Sequence, residues 1–156
     1  PGMRLLPTTP TFDNYLEIDL GGRKFILQEV GPGHSFSDIM AVVPDTGVAF
    51  TGDVLSPQNH IGYNNAPWKN QIKLIDKLLE WGPSKIVPGH RALCNLADIG
   101  ERKQYLLWLD HEARKRFAQG MDVDPAARDL TATLGPYSPY PAAPTPSIPL
   151  HLTPQP

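Results

Sequence analysis

The sequence predicts a mixed α/β fold, and three observations point to it. Residues 15–30 and 39–51 each contain two short apolar or alternating segments around a turn sequence, as in β-hairpins. Residues 67–81 and 97–119 instead repeat apolar side chains every three or four positions, as in amphipathic helices. Between the two helical patterns lies SKIVPGH, a short apolar segment that ends in a Pro-Gly turn. This order predicts a sheet with flanking helices.

The two hairpins are predicted from their turns. In YLEIDLGGRKFILQEV, apolar side chains alternate on both sides of Gly21 and Gly22, and glycine allows the positive φ that a two-residue hairpin turn requires. In IMAVVPDTGVAFTGD, strands are expected near 39–43 and 48–51, around the turn at 44–47. The first of these strands is apolar throughout, as in strands covered on both faces. We therefore expect the second hairpin to be central in the sheet.

The helical part follows the second hairpin. A helix is predicted behind Pro67 and ends at Gly82-Pro83, and a longer one over 97–119 ends at Gly120. A third, short helix is expected from Pro125, capped by Asp124, to near Leu134. Five side chains of the longer helix are predicted to face inward: Tyr105, Leu106, Leu109, Ala113 and Phe117.

Composition divides the chain into three parts. Residues 1–14 form an extended lead-in, 15–134 a folded unit, and 135–156 a proline-rich tail with eight of the chain's eighteen prolines. The formal net charge is -2 and basic residues are scattered, so neither a nucleic-acid nor a membrane partner is expected. The single cysteine, Cys94, excludes an intrachain disulfide and is expected to be buried. The cytoplasm is the default expectation for the cellular location, with a targeting signal upstream of Pro1 as the alternative.

Three potential metal ligands share one local context. His34 in GPGH, Asp53 in TGD and His90 in VPGH each follow a glycine, and the last two lie at the carboxyl ends of predicted strands. Imidazole and carboxylate groups held on tight turns suit a divalent cation, because its ligands must converge. Taken singly, each residue is more often an ordinary turn or loop residue. Their occurrence together and in order favours a metal site.

These motifs resemble those of the metallo-β-lactamase-fold hydrolase superfamily. GPGHSFSD is similar to the family's Gly-His-Thr-x-Gly-Asp turn, VAFTGDVL to its Thr-Gly-Asp strand end, and IVPGH to its Pro-Gly-His turn. His34 and Asp53 are separated by nineteen positions that contain a β-hairpin, as in the family, and a helix precedes the last motif. The resemblance covers about residues 11–134 and implies an αββα sandwich.

One family motif has no counterpart in the chain. The His-x-His-x-Asp-His sequence that supplies most metal ligands in the family is absent, because no histidine precedes His34. The resemblance therefore implies that the chain is the C-terminal half of the sandwich and a fragment of a longer enzyme. Its expected partner is the missing N-terminal half of the same polypeptide. An uncovered apolar sheet face would also favour association, including a homo-oligomer.

The resemblance assigns a role to each candidate ligand. It implies that His34 binds a first metal, His90 binds a second, and Asp53 bridges the two and takes part in catalysis. The cofactors would be two divalent ions, with zinc expected first and iron or manganese as alternatives. A metal-bound hydroxide would attack an ester, lactone, thioester or amide in a small-molecule substrate. Because only three ligands are present, the chain alone is expected to bind metal weakly and to be inactive.

Other residues have less specific expectations. Asp38 is either an acceptor for the ring N–H of a metal ligand or a solvated turn carboxylate. His60 and Tyr63, in the loop after Asp53, could line a substrate pocket, although an ordinary exposed loop histidine is the simpler interpretation of His60. Trp68 is expected in the core, and His111 in solvent.

The sequence is also compatible with two other functions. One is a redox relative of the same fold that keeps a single iron, such as a persulfide dioxygenase. The other is a non-catalytic half-domain in which His34, Asp53 and His90 are only turn residues.

Overall fold

The computed structural model describes residues 10–55 and 68–134. This part of the chain forms a mixed α/β structure, as the sequence predicts, with a five-stranded sheet and three helices. The elements, in chain order, are β1 (Tyr15–Asp19), β2 (Lys24–Gly31), β3 (Asp38–Val43), β4 (Val48–Gly52), α1 (Trp68–Trp81), β5 (Lys85–Pro88), α2 (Leu96–Ala118) and α3 (Val123–Ala132).

The strands lie in the sheet in the order of the chain. Neighbouring strands from β1 to β4 pair antiparallel, and β5 pairs parallel to β4. Strand β3 is therefore the middle strand and β4 has a neighbour on each side, which confirms the central position of the second hairpin. The parallel pair leaves the carboxyl ends of β4 and β5 at one edge of the sheet.

The first hairpin turn has the predicted backbone. Gly21 and Gly22 have φ values of 67° and 90°, and the N–H of Leu20 donates to the carbonyl of Arg23 at 2.9 Å. The Asp19 carboxylate accepts the N–H of Gly22 at 2.7 Å. Two consecutive positive φ values are what a type I′ turn requires, and they explain the glycine pair.

Helices cover one face of the sheet. Ala49 of β4 and Ile86 of β5 are fully buried on this face, together with apolar side chains of α1 and α2. From the helices, the cluster includes Leu74, Ile75, Leu78, Ile99, Tyr105 and Leu106. Cys94 is 8% exposed and belongs to the same cluster, as predicted.

The opposite face is apolar and partly exposed. The strand registers align Leu16, Leu27, Ala41, Phe50 and Val87 in one row across all five strands. Phe50 is 41% exposed, and Ile39 on the same face is 48% exposed. The apolar sequence of β3 predicts cover on both faces, but within residues 10–55 and 68–134 the helices supply it on one only.

Helix α2 differs from its predicted inward face. Phe117 is 73% exposed and Ala113 is also exposed, so their predicted burial is wrong. Arg116 occupies the interior position instead, where its guanidinium contacts Glu112 and Asp129 carboxylates at 2.7 Å each. Arg116 can be buried because its charge is paired, and a pattern based on apolar residues alone does not predict a buried arginine. The helix begins at a capping box formed by Asn95 and Asp98.

Helix α3 begins earlier than predicted. Its first residue is Val123 and its N-cap is Asp122, not Asp124, and the Asp122 side chain makes no capping hydrogen bond. Pro125 lies in the first turn, where a missing N–H removes no hydrogen bond within the helix, so proline allows the earlier start. Trp68 is partly buried and His111 is exposed. His60, Tyr63 and the tail 135–156 lie outside the described residues.

Hydropathy and length also bear on membrane insertion. Within the described ranges, none of the helices combines the length and apolar character that crossing a bilayer requires.

Candidate metal centre

Backbone topology brings the three candidate ligands to one edge of the sheet. Strands β4 and β5 both end there, so Asp53 and His90 follow neighbouring strand ends, with Gly52 paired to Pro88. Strand β3 starts at the same edge, because it runs antiparallel to β4 and pairs Ala41 with Phe50. The loop before β3 carries His34. The convergence predicted from sequence order is therefore present in the fold.

The side chains of the three residues face one another. The Nε2 atom of His34 lies 3.9 Å from Oδ2 of Asp53, and the Nε2 atom of His90 lies 3.3 Å from Oδ1. Each carboxylate oxygen thus faces a different imidazole. The His34, Asp53 and His90 side chains are 30%, 41% and 66% exposed, so the cluster opens to solvent.

Gly89 allows the Asp53 and His90 loops to approach. Its N–H donates to the carbonyl of Gly52 at 2.8 Å. A Cβ atom at position 89 would lie 2.0 Å from Oδ1 of Asp53 and 2.8 Å from the carbonyl carbon of Gly52. Only glycine fits this contact without displacement, which explains the residue that precedes His90.

The loop that carries His34 is held by Asp38. The Asp38 carboxylate accepts the N–H groups of Gly33, His34 and Ser35 at 2.8, 2.8 and 3.0 Å. Desolvation raises the pKa of this carboxyl, but the hydrogen bonds from Ser35, Gly33 and His34 outweigh it and leave the pKa below its ordinary value. These hydrogen bonds reach the loop backbone, and the predicted contact of Asp38 with a ligand ring stays a prediction.

Buried polar side chains support the turn after β4. The carbonyl of Val54 accepts from Nε2 of Gln71, and that of Leu55 accepts from the Thr51 hydroxyl, both at 3.3 Å. Thr51 and Gln71 are fully buried. These residues were not predicted from sequence, although a glutamine on the apolar face of α1 is a signal that could have identified one of them.

The loop beyond His90 contains an unusual backbone conformation. Among the residues that the structure describes, one non-glycine residue has a positive φ: Arg91, at 76°. Left-handed backbone costs a side-chain-bearing residue roughly 1–2 kcal/mol. Such conformations often accompany functional loops, and this one directly follows a candidate ligand.

The cluster fits a metal in donor type, but its ligand set is incomplete. Two imidazole nitrogens and a carboxylate are ordinary ligands for zinc and similar ions. Donors bound to one tetrahedral ion at about 2.0–2.2 Å lie roughly 3.3–3.6 Å apart. The 3.3 Å distance from Asp53 to His90 lies in this range, and the 3.9 Å distance to His34 is longer. Yet across 10–55 and 68–134, no three His, Cys, Asp or Glu side chains are grouped closely enough to hold one ion.

Comparison with known proteins places the chain in a family. The family model that matches residues 6–90 is that of the metallo-beta-lactamase superfamily. No curated protein is sufficiently similar in sequence to count as a relative.

Solved structures share the fold. A metallo-beta-lactamase from Pontibacter korlensis is 20% identical with a TM-score of 0.56, and the match covers 62% of this chain and 47% of that protein. The stereoselective inverting sec-alkylsulfatase Pisa1 from Pseudomonas sp. is 14% identical with a TM-score of 0.60, covering 79% and 21% of the two chains. A metallo-beta-lactamase family protein from Thermus thermophilus is 18% identical with a TM-score of 0.57, covering 72% and 39%.

In each of these comparisons the chain spans less than half of the other protein. At these identities the likeness concerns the fold. The family model, which matches more than half of the sequence, identifies the family, and it ends on the candidate ligand His90. The chain belongs to the metallo-beta-lactamase superfamily.

Proposed function

We propose that this chain carries part of the metal centre of a metal-dependent hydrolase, in which Asp53 bridges two divalent ions. The observation that supports this most directly is the disposition of the Asp53 carboxylate. Its Oδ1 atom faces His90 and its Oδ2 atom faces His34. A carboxylate whose two oxygens each face a different nitrogen ligand is suited to binding one ion through each oxygen.

Each of the three residues then has a separate role. His34 would hold one ion, His90 would hold a second, and Asp53 would bind both through its two carboxylate oxygens. Gly89 sets the position of the Asp53 carboxylate, because any larger residue would displace it. The exposed side of the cluster leaves space for further ligands and for a substrate. When bound, a divalent pair lowers the pKa of water and stabilises negative charge that develops on the substrate.

The proposed substrates are small molecules with a carbonyl group that water can attack. Attack by an activated water on an ester, lactone, thioester or amide produces negative charge on the carbonyl oxygen, which a cation stabilises. The ions are proposed to be zinc, with iron and manganese as alternatives. Pisa1, which shares the fold, is by its name a sec-alkylsulfatase. Sulfate esters therefore belong among the substrates to be tested.

Metal binding by the 156-residue chain tests the proposal. Isothermal titration calorimetry with zinc chloride is expected to detect weak binding, which the variants His34→Ala, Asp53→Ala and His90→Ala each reduce by at least about tenfold. His111→Ala is the matched control, because His111 is an exposed histidine on α2. Equal binding by all variants, or an equal loss in the control, would contradict the proposal.

The apolar sheet face supports a second part of the proposal. We propose that the face with the row Leu16, Leu27, Ala41, Phe50 and Val87 packs against an N-terminal half of the same domain. Partly exposed apolar side chains across five strands are unfavourable in water. The solved relatives are more than twice as long as the part of them that this chain spans. That half would also supply the ligands needed to complete each ion's coordination.

The coding sequence upstream of Pro1 tests this partner. A His-x-His-x-Asp-His motif at the end of a predicted strand there is the expected finding. An upstream sequence without such a motif would contradict the completed two-metal site. The longer protein, and not the isolated chain, is then expected to hydrolyse a substrate from at least one of the proposed classes. The substrates to test are p-nitrophenyl esters, p-nitrophenyl sulfate, thioesters, lactones and amides.

Two alternative functions are separated by direct measurements. A redox relative with a single iron would retain iron, not zinc, in elemental analysis of the purified longer protein. A non-catalytic half-domain is compatible with the lack of a three-ligand group among the described residues. In that case Asp53→Ala would leave bound metal and biological function unchanged.

A further inference from the structure

The loop between β2 and β3 is closed by one carboxylate. Asp38 is the first residue of β3 and pairs with Gly31 across the ladder, so its backbone is fixed by the sheet. Its Oδ2 atom accepts three consecutive backbone N–H groups, those of Gly33, His34 and Ser35, at 2.8 to 3.0 Å. Its Oδ1 atom accepts the Ser35 hydroxyl at 2.8 Å.

Helix α1 provides a second attachment for the same loop. The Nδ2 atom of Asn70 donates to the carbonyl of Pro32 at 3.1 Å, joining segments 38 residues apart. Gly33 is buried, and a Cβ atom there would lie 2.8 Å from Leu74 Cδ1 and 3.3 Å from Asp38 Oδ2. The backbone on the N-terminal side of His34 is therefore held by both hydrogen bonds and close packing.

We propose that Asp38 is a positioning residue that acts through the backbone of His34 and keeps its imidazole facing Asp53. This inference rests on the proposed function of His34 and Asp53 as metal ligands and identifies how one of them is held. Because His34 lies in an irregular loop, strand pairing alone does not fix its backbone. The Asp38 carboxylate supplies the missing constraint from a residue anchored in the sheet.

The chemistry of this loop closure favours a carboxylate. An ionised oxygen accepts several N–H groups more strongly than a neutral carbonyl does. Asparagine would retain the shape and one acceptor oxygen, but its amide nitrogen would face Ser35. Alanine would leave three neighbouring N–H groups without their acceptor. The disturbance of the loop is therefore expected to be larger in Asp38→Ala than in Asp38→Asn.

The experiment measures loop order and metal binding separately in the full chain. In metal-free protein, amide hydrogen exchange at Gly33, His34 and Ser35 is expected to accelerate at least about tenfold in Asp38→Ala. The ring ¹⁵N shifts of His34 should change, and the acceleration at the loop should exceed that in the buried core, which Ile75 and Ile86 report. Asp38→Asn should show a smaller but measurable acceleration and a smaller change in the His34 ring shifts.

The zinc dissociation constant is measured on the same variants by calorimetry. It should rise about 10–100-fold in Asp38→Ala, the usual effect of losing a residue that orients a ligand. Asp45→Asn is the matched control, because Asp45 is an exposed turn carboxylate that accepts Arg23 Nε at 3.0 Å. It should leave the dissociation constant and the His34 signals unchanged.

Different outcomes overturn different statements. Wild-type exchange and ring shifts at His34 in Asp38→Ala would overturn the positioning role, whatever the metal result. Faster exchange with changed ring shifts, in a chain that binds no zinc even as the wild type, would overturn the proposed metal site and leave the loop closure by Asp38 intact. If Asp38→Ala fails to fold, Asp38→Asn carries both measurements, and its identity with the wild type in both would overturn the proposal.

Discussion

Gly89 lies against the backbone of the Asp53 turn, so replacing it with alanine is expected to separate the two loops that meet at the site. The added Cβ would lie 2.0 Å from Asp53 Oδ1, 2.8 Å from the Gly52 carbonyl carbon and 3.0 Å from the Asp53 nitrogen. Side-chain rotation relieves the first contact only by turning the carboxylate away from its present position. The other two contacts involve backbone atoms and require the loops to move.

The size of the effect follows from these distances. Carbon atoms in contact normally lie about 3.5–4.0 Å apart, so the loops must separate by roughly 0.7–1.2 Å. That movement weakens the 2.8 Å hydrogen bond from Gly89 to the Gly52 carbonyl. Overpacking of this kind costs about 1–3 kcal/mol, and the weakened hydrogen bond falls within that range. We expect Gly89→Ala to lower the free energy of unfolding by about 2 kcal/mol.

Urea denaturation followed by circular dichroism measures this change. Gly100→Ala is the matched control, because Gly100 lies inside α2 and an added Cβ would contact nothing within 4 Å. Alanine is favoured over glycine in helices, so the control should raise the free energy of unfolding by about 0.5–1 kcal/mol. Zinc binding should weaken in Gly89→Ala and stay unchanged in Gly100→Ala. A Gly89→Ala protein as stable as the wild type, with unaltered zinc affinity, would show that the two loops do not depend on glycine at this position.

Three further predictions concern other parts of the molecule. Arg91→Gly should raise the free energy of unfolding by up to about 1 kcal/mol, because glycine adopts a φ of 76° without strain, and Arg91→Val should lower it in the same urea assay. The hydrogen bond from Arg116 is the largest of the interactions that lower the pKa of Glu112 from 4.5. The ionised Glu112 carboxylate therefore stabilises the fold above pH 4.5, and this contribution is lost as the pH falls through the lowered pKa. Glu112→Gln should flatten the acid side of the plot of unfolding free energy against pH, and an unchanged plot would contradict this. Desolvation, with a smaller effect of Asp98, raises the pKa of the Cys94 thiol to about 11. Iodoacetamide at pH 8 should therefore label Cys94 slowly in the folded chain and rapidly in the urea-unfolded chain. Equal labelling rates, measured by mass spectrometry, would show that the thiol is accessible in the folded chain.

Much of the fold could be predicted from the sequence because its local signals agree with its tertiary contacts. Gly21 and Gly22 identify a turn with positive φ, and Gly82 ends α1 with a φ of 62°. Alternation and helical periodicity locate the strands and the first two helices to within about two residues.

The errors arise where polar side chains take interior positions. Arg116 is buried by pairing with Glu112 and Asp129, and Phe117 beside it is consequently exposed. Apolar periodicity assigns the opposite arrangement, since it cannot anticipate ion pairs with a residue of another helix. In α3, Asp122 and Asp124 are equally good caps by residue type, and only the tertiary position of the chain selects between them.

The candidate site shows the same division. Asp53 and His90 could be predicted as site residues because each follows a glycine at the end of a predicted strand. The pairing of β4 with β5 then brings them together. The Asp38 hydrogen bonds to three backbone N–H groups depend on loop conformation, which residue spacing does not specify. The contact of Asn70 with Pro32 spans 38 residues and has no local signal at all.

Long-range ¹H–¹⁵N NMR of the histidine rings during titration with zinc tests whether His34, Asp53 and His90 form a single metal centre. If Asp53 joins His34 and His90 in one metal centre, the Nε2 signals of both rings should shift together in the wild type, and both responses should weaken in Asp53→Ala. The His111 signal should not change in either protein. Ring signals of His34 and His90 that respond to zinc independently of Asp53, or not at all, would contradict the account.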